Sequence, residues 1–79
     1  MERAVPDRVL DCLGQYCPMP VLLARQAIDE MAAGQVLEVV VNDRAAEEDI
    51  PRWAKRTGHS LVYIAWDDGR LVFQVRKEQ

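Results

Sequence analysis

The chain has 79 residues, of which 49% are hydrophobic and 29% charged, and its formal net charge is −3. These values predict one small globular domain over residues 1–79, with an ordered core over about residues 8–77. They exclude a disordered chain, and the acidic balance argues against direct nucleic-acid binding. We expect neither a signal peptide nor a membrane span, because no apolar run approaches the ~20 residues that a span needs. Two cysteines are too few for a disulfide-stapled secreted scaffold, so we expect a cytoplasmic protein with reduced thiols.

The first part of the chain predicts a strand and a helix. A short strand is expected over Val9–Cys12, and Gly14 ends it in a tight loop. A helix is expected from Pro18 to about Ala33, with Gly34 at the left-handed position just after it. The apolar residues at helical spacing that mark its buried face are Val21, Ala24, Ile28 and Met31, and Leu22 and Ala27 are expected to pack beside them.

The middle of the chain predicts a buried strand and a second helix. The β-branched run Gln35–Asn42 is expected to form a central strand, buried on much of both faces. Asp43 is a good N-cap for a helix over residues 44–57, which Gly58 ends. Pro51 lies inside that helix and is expected to kink it, or to break it after an initial turn. The residues expected on the buried stripe of this helix are Ile50, Trp53 and Ala54.

A hairpin completes the predicted fold. The strands Ser60–Trp66 and Arg70–Arg76 flank Asp68-Gly69, which is a strong signal for a tight hairpin turn. The order βαβαββ implies a mixed sheet, because a strand–helix–strand unit joins parallel neighbours whereas a hairpin joins antiparallel ones. We therefore predict an α/β (α+β) two-layer sandwich, in which two helices cover one face of a mixed four-stranded sheet.

The most informative segment is Leu10–Pro20, in which a cysteine directly precedes two prolines. Proline costs nothing in the first turn of a helix, because the N–H groups there have no intrahelical partner. We therefore expect Cys17 at the cap, Pro18 at the first helical position and Pro20 at the third. A thiol at a cap faces the positive end of the helix dipole, which favours the nucleophilic thiolate. The segment thus predicts a site for sulfur chemistry.

Neighbouring residues are expected to shape this site. Asp11 is interpreted as an acceptor for N–H groups of the loop, and Gly14 as its tight turn. Met19 is expected to be exposed beside Cys17, where its flexible side chain suits several partners. The loops after the first two strands should open at the same end of the sheet. This brings Asp43 and Arg44 towards the Cys17 loop, and the candidate partner contacts are Asp43, Arg44 and Arg25.

Three motifs along the chain form a recognisable pattern. They are Leu10-Asp11-x-x-Gly14-x-x-Cys17-Pro18-x-Pro20, then Asn42-Asp43-Arg44-Ala45 with Asp49-Ile50-Pro51, and then Gly58-His59. In this pattern the chain resembles the TusA family of small sulfur-carrier proteins, from about Val9 to Lys77. It departs from many members at Arg44, where they carry proline after the aspartate, and this affects the expected partner more than the chemistry.

The resemblance implies both a fold and an activity. The implied fold is βαβαββ, in agreement with the prediction from the residues. The implied activity is that of a sulfurtransferase: Cys17 accepts sulfane sulfur as a persulfide and relays it to a partner protein. The implied donors are a cysteine desulfurase or a rhodanese. The implied acceptors belong to tRNA thiolation, cofactor synthesis or sulfur oxidation.

Other interpretations remain open at this point. Cys12 is expected to be a strand residue facing the core or the loop, but it is also a possible resolving thiol, which would make the protein a dithiol redox protein. A non-catalytic regulatory binding module is the third alternative. No cofactor and no pocket of metabolite size are expected, and two cysteines with the lone His59 do not make a zinc site. We expect a monomer that forms transient complexes with its protein partners.

Overall fold

Six helices and strands follow one another in the order that the sequence predicts. The computed structural model describes residues 3–16 and 19–78. The elements are β1 (Arg8–Asp11), α1 (Met19–Asp29), β2 (Val36–Val41), α2 (Ala46–Thr57), β3 (Ser60–Asp67) and β4 (Arg70–Arg76). The predicted βαβαββ order is confirmed, and in the described part of the chain no helix has the length and apolarity that a membrane crossing requires.

The four strands form one mixed sheet in the order β1-β2-β4-β3. β1 pairs with β2 in parallel, whereas β4 pairs antiparallel with β2 on one side and with β3 on the other. Asp68 (φ 51°) and Gly69 (φ 77°) both have positive φ, as a tight hairpin turn of the mirror-image type requires. Their hairpin role is therefore confirmed.

Both helices pack on one face of the sheet, which confirms the two-layer architecture. α1 contacts β1 and β2, and α2 contacts β3 and β4. Side chains alternate between the two faces of a strand, so every second residue of the central strands points at the helices. The buried apolar residues between the layers are Cys12, Ala24, Ala27, Ile28, Met31, Leu37, Val39, Val41, Ala46, Ile50, Trp53, Ala54, Leu71, Phe73 and Val75.

The opposite face of the sheet carries two buried polar side chains. Glu38 of β2 is 5% exposed and its cross-strand neighbour Gln74 of β4 is 0% exposed. The Gln74 Nε2 donates to Glu38 Oε1 at 3.0 Å, and the guanidinium of Arg3 approaches the same oxygen at 2.9 Å. Buried polar groups need such partners, because an unpaired one costs the free energy of its lost hydration.

The N-terminal segment supplies the remaining partners. Ala4 N donates to Gln74 Oε1 and Ala4 O accepts from Gln74 Nε2, both at 2.7 Å. Asp7 and Val36 are joined twice, through Asp7 N to Val36 O at 2.9 Å and through Val36 N to Asp7 Oδ2 at 2.7 Å. Residues 3–7, the N-terminal strap, therefore lie across this face. They explain how β2 is buried on both faces, as the sequence predicts, although only one face meets helices.

The first helix ends earlier than predicted. α1 stops at Asp29 rather than near Ala33, and Gly34 (φ 90°) follows only after a further turn. Two contacts from the C-terminal end of the sheet account for this. Lys77 Nζ donates to Met31 O at 2.7 Å, and Gly34 N donates to Lys77 O at 2.6 Å. Lys77 thus anchors the segment between α1 and Gly34, and the prediction for this boundary was wrong.

The second helix differs from its prediction at its N-terminal end. Ala45, with no side-chain cap, precedes the first residue of α2, so Asp43 is not the N-cap. Asp43 Oδ1 instead accepts from Ala45 N at 3.3 Å and organises the turn before the helix. Pro51 lies within α2 without breaking it. Gly58 (φ 81°) ends the helix as expected, and His59 N donates to Ala54 O at 2.9 Å.

Leu22 is the one residue predicted on the buried face of α1 that the structure places in solvent. Its side chain is 45% exposed, whereas Ala24, Ala27 and Ile28 are buried as expected. Leu22 lines an open groove between α1 and α2 instead of packing in the core.

Candidate functional site

Residues 12–18, the thiol loop, connect β1 to α1, and main-chain hydrogen bonds hold the first half of this loop. Cys12 N donates to Val40 O at 2.8 Å, which extends the parallel β1–β2 pairing by one residue. Asp11 Oδ1 accepts from Leu13 N at 2.9 Å, so the predicted acceptor role of Asp11 is confirmed. Gln15 N donates to Cys12 O at 3.1 Å and closes a turn. Gly14 is the third residue of this turn.

Cys17 and Pro18 lie outside the described residues. The residues on either side of them are joined, because Met19 N donates to Tyr16 O at 2.8 Å. Pro20 is the second residue of α1, and its side chain is buried. The predicted positions of Cys17 and Pro18 at the start of the helix therefore stay predictions. Pro20 lies within the first turn, where a missing N–H has no cost.

A side chain from the neighbouring loop reaches the thiol loop. Asn42, the first residue after β2, accepts from Gly14 N at 3.1 Å through its Oδ1. This contact joins the loops that follow β1 and β2 and confirms that they open at the same end of the sheet. Asp43 and exposed Arg44 continue from this point. The role of Asn42 was not predicted from the sequence, where its only signal is a polar residue directly after a buried strand.

Cys12 is a free thiol inside the core. Its side chain is 0% exposed, and it packs among the buried residues beneath the helices. Burial raises the pKa of the Cys12 thiol above its ordinary value, and the nearby carboxylate of Asp11 raises this pKa further. Both effects oppose formation of the thiolate, which is the reactive form. The expected core position of Cys12 is therefore confirmed.

Exposed apolar side chains lie within the thiol loop and in the first turn of α1 that follows it. Tyr16 is 75% exposed, Met19 is 41% exposed and Leu22 is 45% exposed. These residues follow one another at intervals of three, and Arg25 continues the series as an exposed residue of α1. The exposure of Met19 was predicted from the sequence. A cluster of this kind close to a reactive residue is typical of a surface that contacts another protein.

A groove opens between α1 and the C-terminal end of α2. Its volume is about 460 Å³, which is larger than the sequence led us to expect. The side chains that line it are Val21, Leu22, Arg25, Ile28, Asp29, Trp53, Arg56, Thr57 and His59. Within residues 3–16 and 19–78, neither Arg25 nor Arg56 forms an ion pair. Trp53 is buried at the base, and its Nε1 has no hydrogen-bond partner in the described structure.

The acidic, histidine and cysteine side chains are scattered over the molecule. Among the residues that the structure describes, no three of them are grouped so that they could hold a metal ion. The ionisable groups around the groove are Arg25, Asp29, Arg56 and His59. With two arginines against one carboxylate, the groove is positively charged on a chain whose net charge is negative.

Comparison with known proteins gives consistent results. The model of the family described as Sulfurtransferase TusA matches residues 8–77. The chain is 37% identical over 78 residues to the sulfur carrier protein TusA of Pseudomonas putida, with 99% of this chain and 98% of the relative covered. It is 44% identical over 68 residues to a proposed sulfur carrier protein of Archaeoglobus fulgidus, with 85% and 88% covered.

A third relative is longer than this chain. The chain is 38% identical over 77 residues to a proposed sulfur carrier protein of Aquifex aeolicus, and it spans 39% of the length of that protein. Among solved structures, a SirA-like protein from Desulfitobacterium hafniense has the same fold, with a TM-score of 0.80 and 29% identity. The match covers 91% of this chain and 99% of that one. Because the family model matches nearly the whole length, the chain belongs to the TusA family of sulfurtransferases.

Proposed function

We propose that this protein carries sulfane sulfur as a persulfide on Cys17 and transfers it to a partner protein. The observation that carries the proposal is the burial of Cys12, the second thiol of the chain. Sulfur transfer needs an accessible thiolate, and a buried thiol with a raised pKa is poorly suited to supply one. The reaction is therefore assigned to Cys17, the cysteine of the Cys-Pro-x-Pro motif in a family of sulfurtransferases.

The transfer is analogous to thiol–disulfide exchange. The Cys17 thiolate attacks the outer sulfur of a persulfide on the donor protein, a new S–S bond forms, and the donor leaves as a thiolate. An acceptor thiolate then attacks the outer sulfur of the Cys17 persulfide, and Cys17 leaves as a thiolate. Neither step changes the number of S–S bonds, so neither requires an external oxidant or reductant.

We propose that protein partners supply and accept the sulfur. A cysteine desulfurase or a rhodanese is the expected donor, and the expected acceptors belong to tRNA thiolation, cofactor synthesis or sulfur oxidation. The exposed series Tyr16, Met19 and Leu22 offers an apolar contact area beside the thiol loop. Leu22 also lines the groove between α1 and α2, where Arg25 and Arg56 add positive charge, which suits a partner with acidic residues around an apolar centre. Because thiols stay reduced in the cytoplasm, we also propose a cytoplasmic location. We further propose that the protein is a monomer that meets its partners transiently.

Intact-protein mass spectrometry tests the sulfur carrier directly. The wild type, Cys17→Ser and Cys12→Ala are each incubated with a cysteine desulfurase and cysteine, or with a rhodanese and thiosulfate. We expect the wild type and Cys12→Ala to gain one sulfur atom that a reductant removes, and Cys17→Ser to gain none. The Cys12→Ala variant is the matched control, because it also lacks one thiol.

Other results would favour the alternatives. A gain of sulfur in Cys17→Ser, or no gain from any donor, would contradict the assignment. A loss of two hydrogens in the wild type would indicate a Cys12–Cys17 disulfide and hence a dithiol redox protein. Normal activity of Cys17→Ser in the cell would favour a regulatory binding module. The burial of Cys12 already disfavours the redox alternative, since a resolving thiol must reach its target.

A further inference from the structure

We propose that Asn42 is a positioning residue for the reactive thiol loop, and that it acts through the main chain of Gly14. The inference rests on the proposed function, because it concerns the loop that carries Cys17. It starts from a side-chain hydrogen bond that joins the two loops at this end of the sheet, Gly14 N to Asn42 Oδ1 at 3.1 Å.

The turn at Gly14 has a main-chain orientation that glycine permits. Gln15 N donates to Cys12 O at 3.1 Å, and the third residue of this turn, Gly14, has a φ of 81°. A positive φ at the third position is typical of a type II turn, in which the central peptide is reversed relative to the commoner type I. Glycine adopts positive and negative φ about equally well, so Gly14 alone does not select one orientation of the Leu13–Gly14 peptide.

Asn42 supplies the selection. Its Oδ1 is an acceptor placed for the Gly14 N–H in the observed orientation only, so it favours that orientation over the reversed one. The main chain of Asn42 is anchored, because Asn42 directly follows β2, and Val41 pairs with Leu71 on the neighbouring strand. Through this hydrogen bond, Asn42 ties the thiol loop to the end of the central strand β2.

The effect extends from Gly14 to the cysteine. Only Gln15 and Tyr16 separate Gly14 from Cys17. At the other end of the loop, Met19 N donates to Tyr16 O, and Met19 is the first residue of α1. When the Leu13–Gly14 peptide loses its fixed orientation, we expect the short segment between Gly14 and Met19 to take up several arrangements. Cys17 then spends less time in the arrangement that favours its thiolate.

The alkylation rate of each cysteine tests this inference without any partner protein. Wild type, Asn42→Ala and Asn42→Asp are treated with iodoacetamide, and the second-order rate constants of Cys17 and Cys12 are read separately by fragment-ion mass spectrometry. The measurement is made at about 1 M salt, where the Debye length is ~3 Å, so that the charge of aspartate is screened. Gln26→Ala, which removes an exposed side chain elsewhere on α1, is the control.

We expect Asn42→Ala to lower the rate constant of Cys17 by about three- to tenfold, the factor that one hydrogen bond commonly contributes. Asn42→Asp keeps an acceptor oxygen in place, so its rate constant should stay within about twofold of the wild type. The rate constant of buried Cys12 should be unchanged in both. An unchanged Cys17 in Asn42→Ala, an equal fall in Asn42→Asp, or a parallel change at Cys12 would overturn the proposal. Alkylation does not require sulfur loading, so a failure of the carrier function would leave this result unaffected.

Discussion

Cys12 shows how the position of a side chain determines its chemistry. It lies five residues before Cys17 in the chain, and the core encloses it completely. Its main-chain N–H extends the pairing of β1 with β2, which directs the side chain towards the helices. Desolvation then favours the neutral thiol, so the pKa of Cys12 is raised above its ordinary value of 9.0. We infer that Cys12 contributes packing rather than reactivity.

The raised pKa predicts how stability depends on pH. In the unfolded chain the Cys12 thiol ionises near its ordinary pKa of 9.0, whereas in the folded protein it stays protonated to higher pH. Its contribution to stability is therefore fully present below pH 9.0 and is lost as the pH rises towards the raised folded pKa. The slope is at most about 1.4 kcal/mol per pH unit.

Urea unfolding of wild type and Cys12→Ala, from neutral pH up to about pH 10.5, checks this prediction. Above pH 9.0 the free energy of unfolding should fall faster in the wild type than in the variant. All other ionisable groups are present in both proteins, so their effects cancel in the difference. Parallel curves would show that Cys12 has an ordinary pKa in the folded state.

Some site residues could be predicted from the sequence because their roles are local. Asp11 accepts from an N–H two residues later, and Gly58 ends its helix with a positive φ, so short motifs were enough to assign both. Asn42 and Leu22 were missed because their environments depend on distant residues. Asn42 contacts a loop 28 residues away, and Leu22 lines a groove that residues of α2 complete.

The N-terminal strap is the part of the fold that periodicity could not reveal. Glu38 and Gln74 are the buried polar side chains on the face opposite the helices, and the strap completes their hydrogen bonds. The amide of Gln74 bonds the N–H and C=O of Ala4 as a neighbouring strand would. The strap and the two central strands therefore form one cooperative unit.

Removal of the Gln74 amide tests this coupling. Gln74→Ala removes both side-chain hydrogen bonds of Ala4 and leaves Glu38 with Arg3 alone, so we expect it to lower the free energy of unfolding by about 2–3 kcal/mol. In a shortened chain that begins at Val5, the same substitution should cost about half as much or less, because water then reaches the pair. Chemical denaturation of the four proteins measures both costs.

The exposed Gln26→Ala serves as the control in both chain lengths, since it removes the same chemical group from solvent rather than from a buried network. If Gln74→Ala cost the same with and without the strap, the strap and the strands would be independent. The cooperative unit would then have no support.

The strands and α2 followed from the sequence because their signals are strong and local. The β-branched run of β2, the Asp68-Gly69 turn and the apolar stripe of α2 each point to one structure. The end of α1 did not, because it depends on Lys77, which reaches Met31 O from the other end of the chain. Contacts between residues so distant leave no local pattern in the sequence.

Charge is distributed unevenly over the whole molecule. The chain has a net charge of −3, yet the groove between α1 and α2 is lined by Arg25 and Arg56. Three other arginines form ion pairs: Arg3 with Glu38, Arg8 with Glu30 and Arg76 with Glu78. Arg25 and Arg56 form none within the described residues, and they lie where we propose that a partner docks.

Charge reversal in the groove tests the docking surface. Arg25→Glu and Arg56→Glu should each weaken binding to the desulfurase or rhodanese that loads Cys17, by about tenfold or more, since like charges then face an acidic partner. Arg52→Glu makes the same change at an exposed position of α2 outside the groove and should have little effect. Calorimetric titration of each variant measures the dissociation constants.

Chemical loading separates docking from chemistry. Polysulfide persulfidates an accessible thiol without a protein partner, so the two groove variants should accept sulfur from it as fast as the wild type does. Equal weakening by Arg52→Glu would indicate a general charge effect instead of a specific surface. Slower loading by polysulfide in the groove variants would place Arg25 and Arg56 in the chemistry rather than in docking.

The central place of β4 has a consequence for protein synthesis. β4 is the last strand in the chain, but it lies between β2 and β3 in the sheet. On a ribosome, β2 and β3 emerge before the strand that joins them, so the core cannot close until residues up to Arg76 have left the exit tunnel. Until that moment the nascent chain leaves Cys12 open to oxidants and electrophiles, from which the finished core protects it.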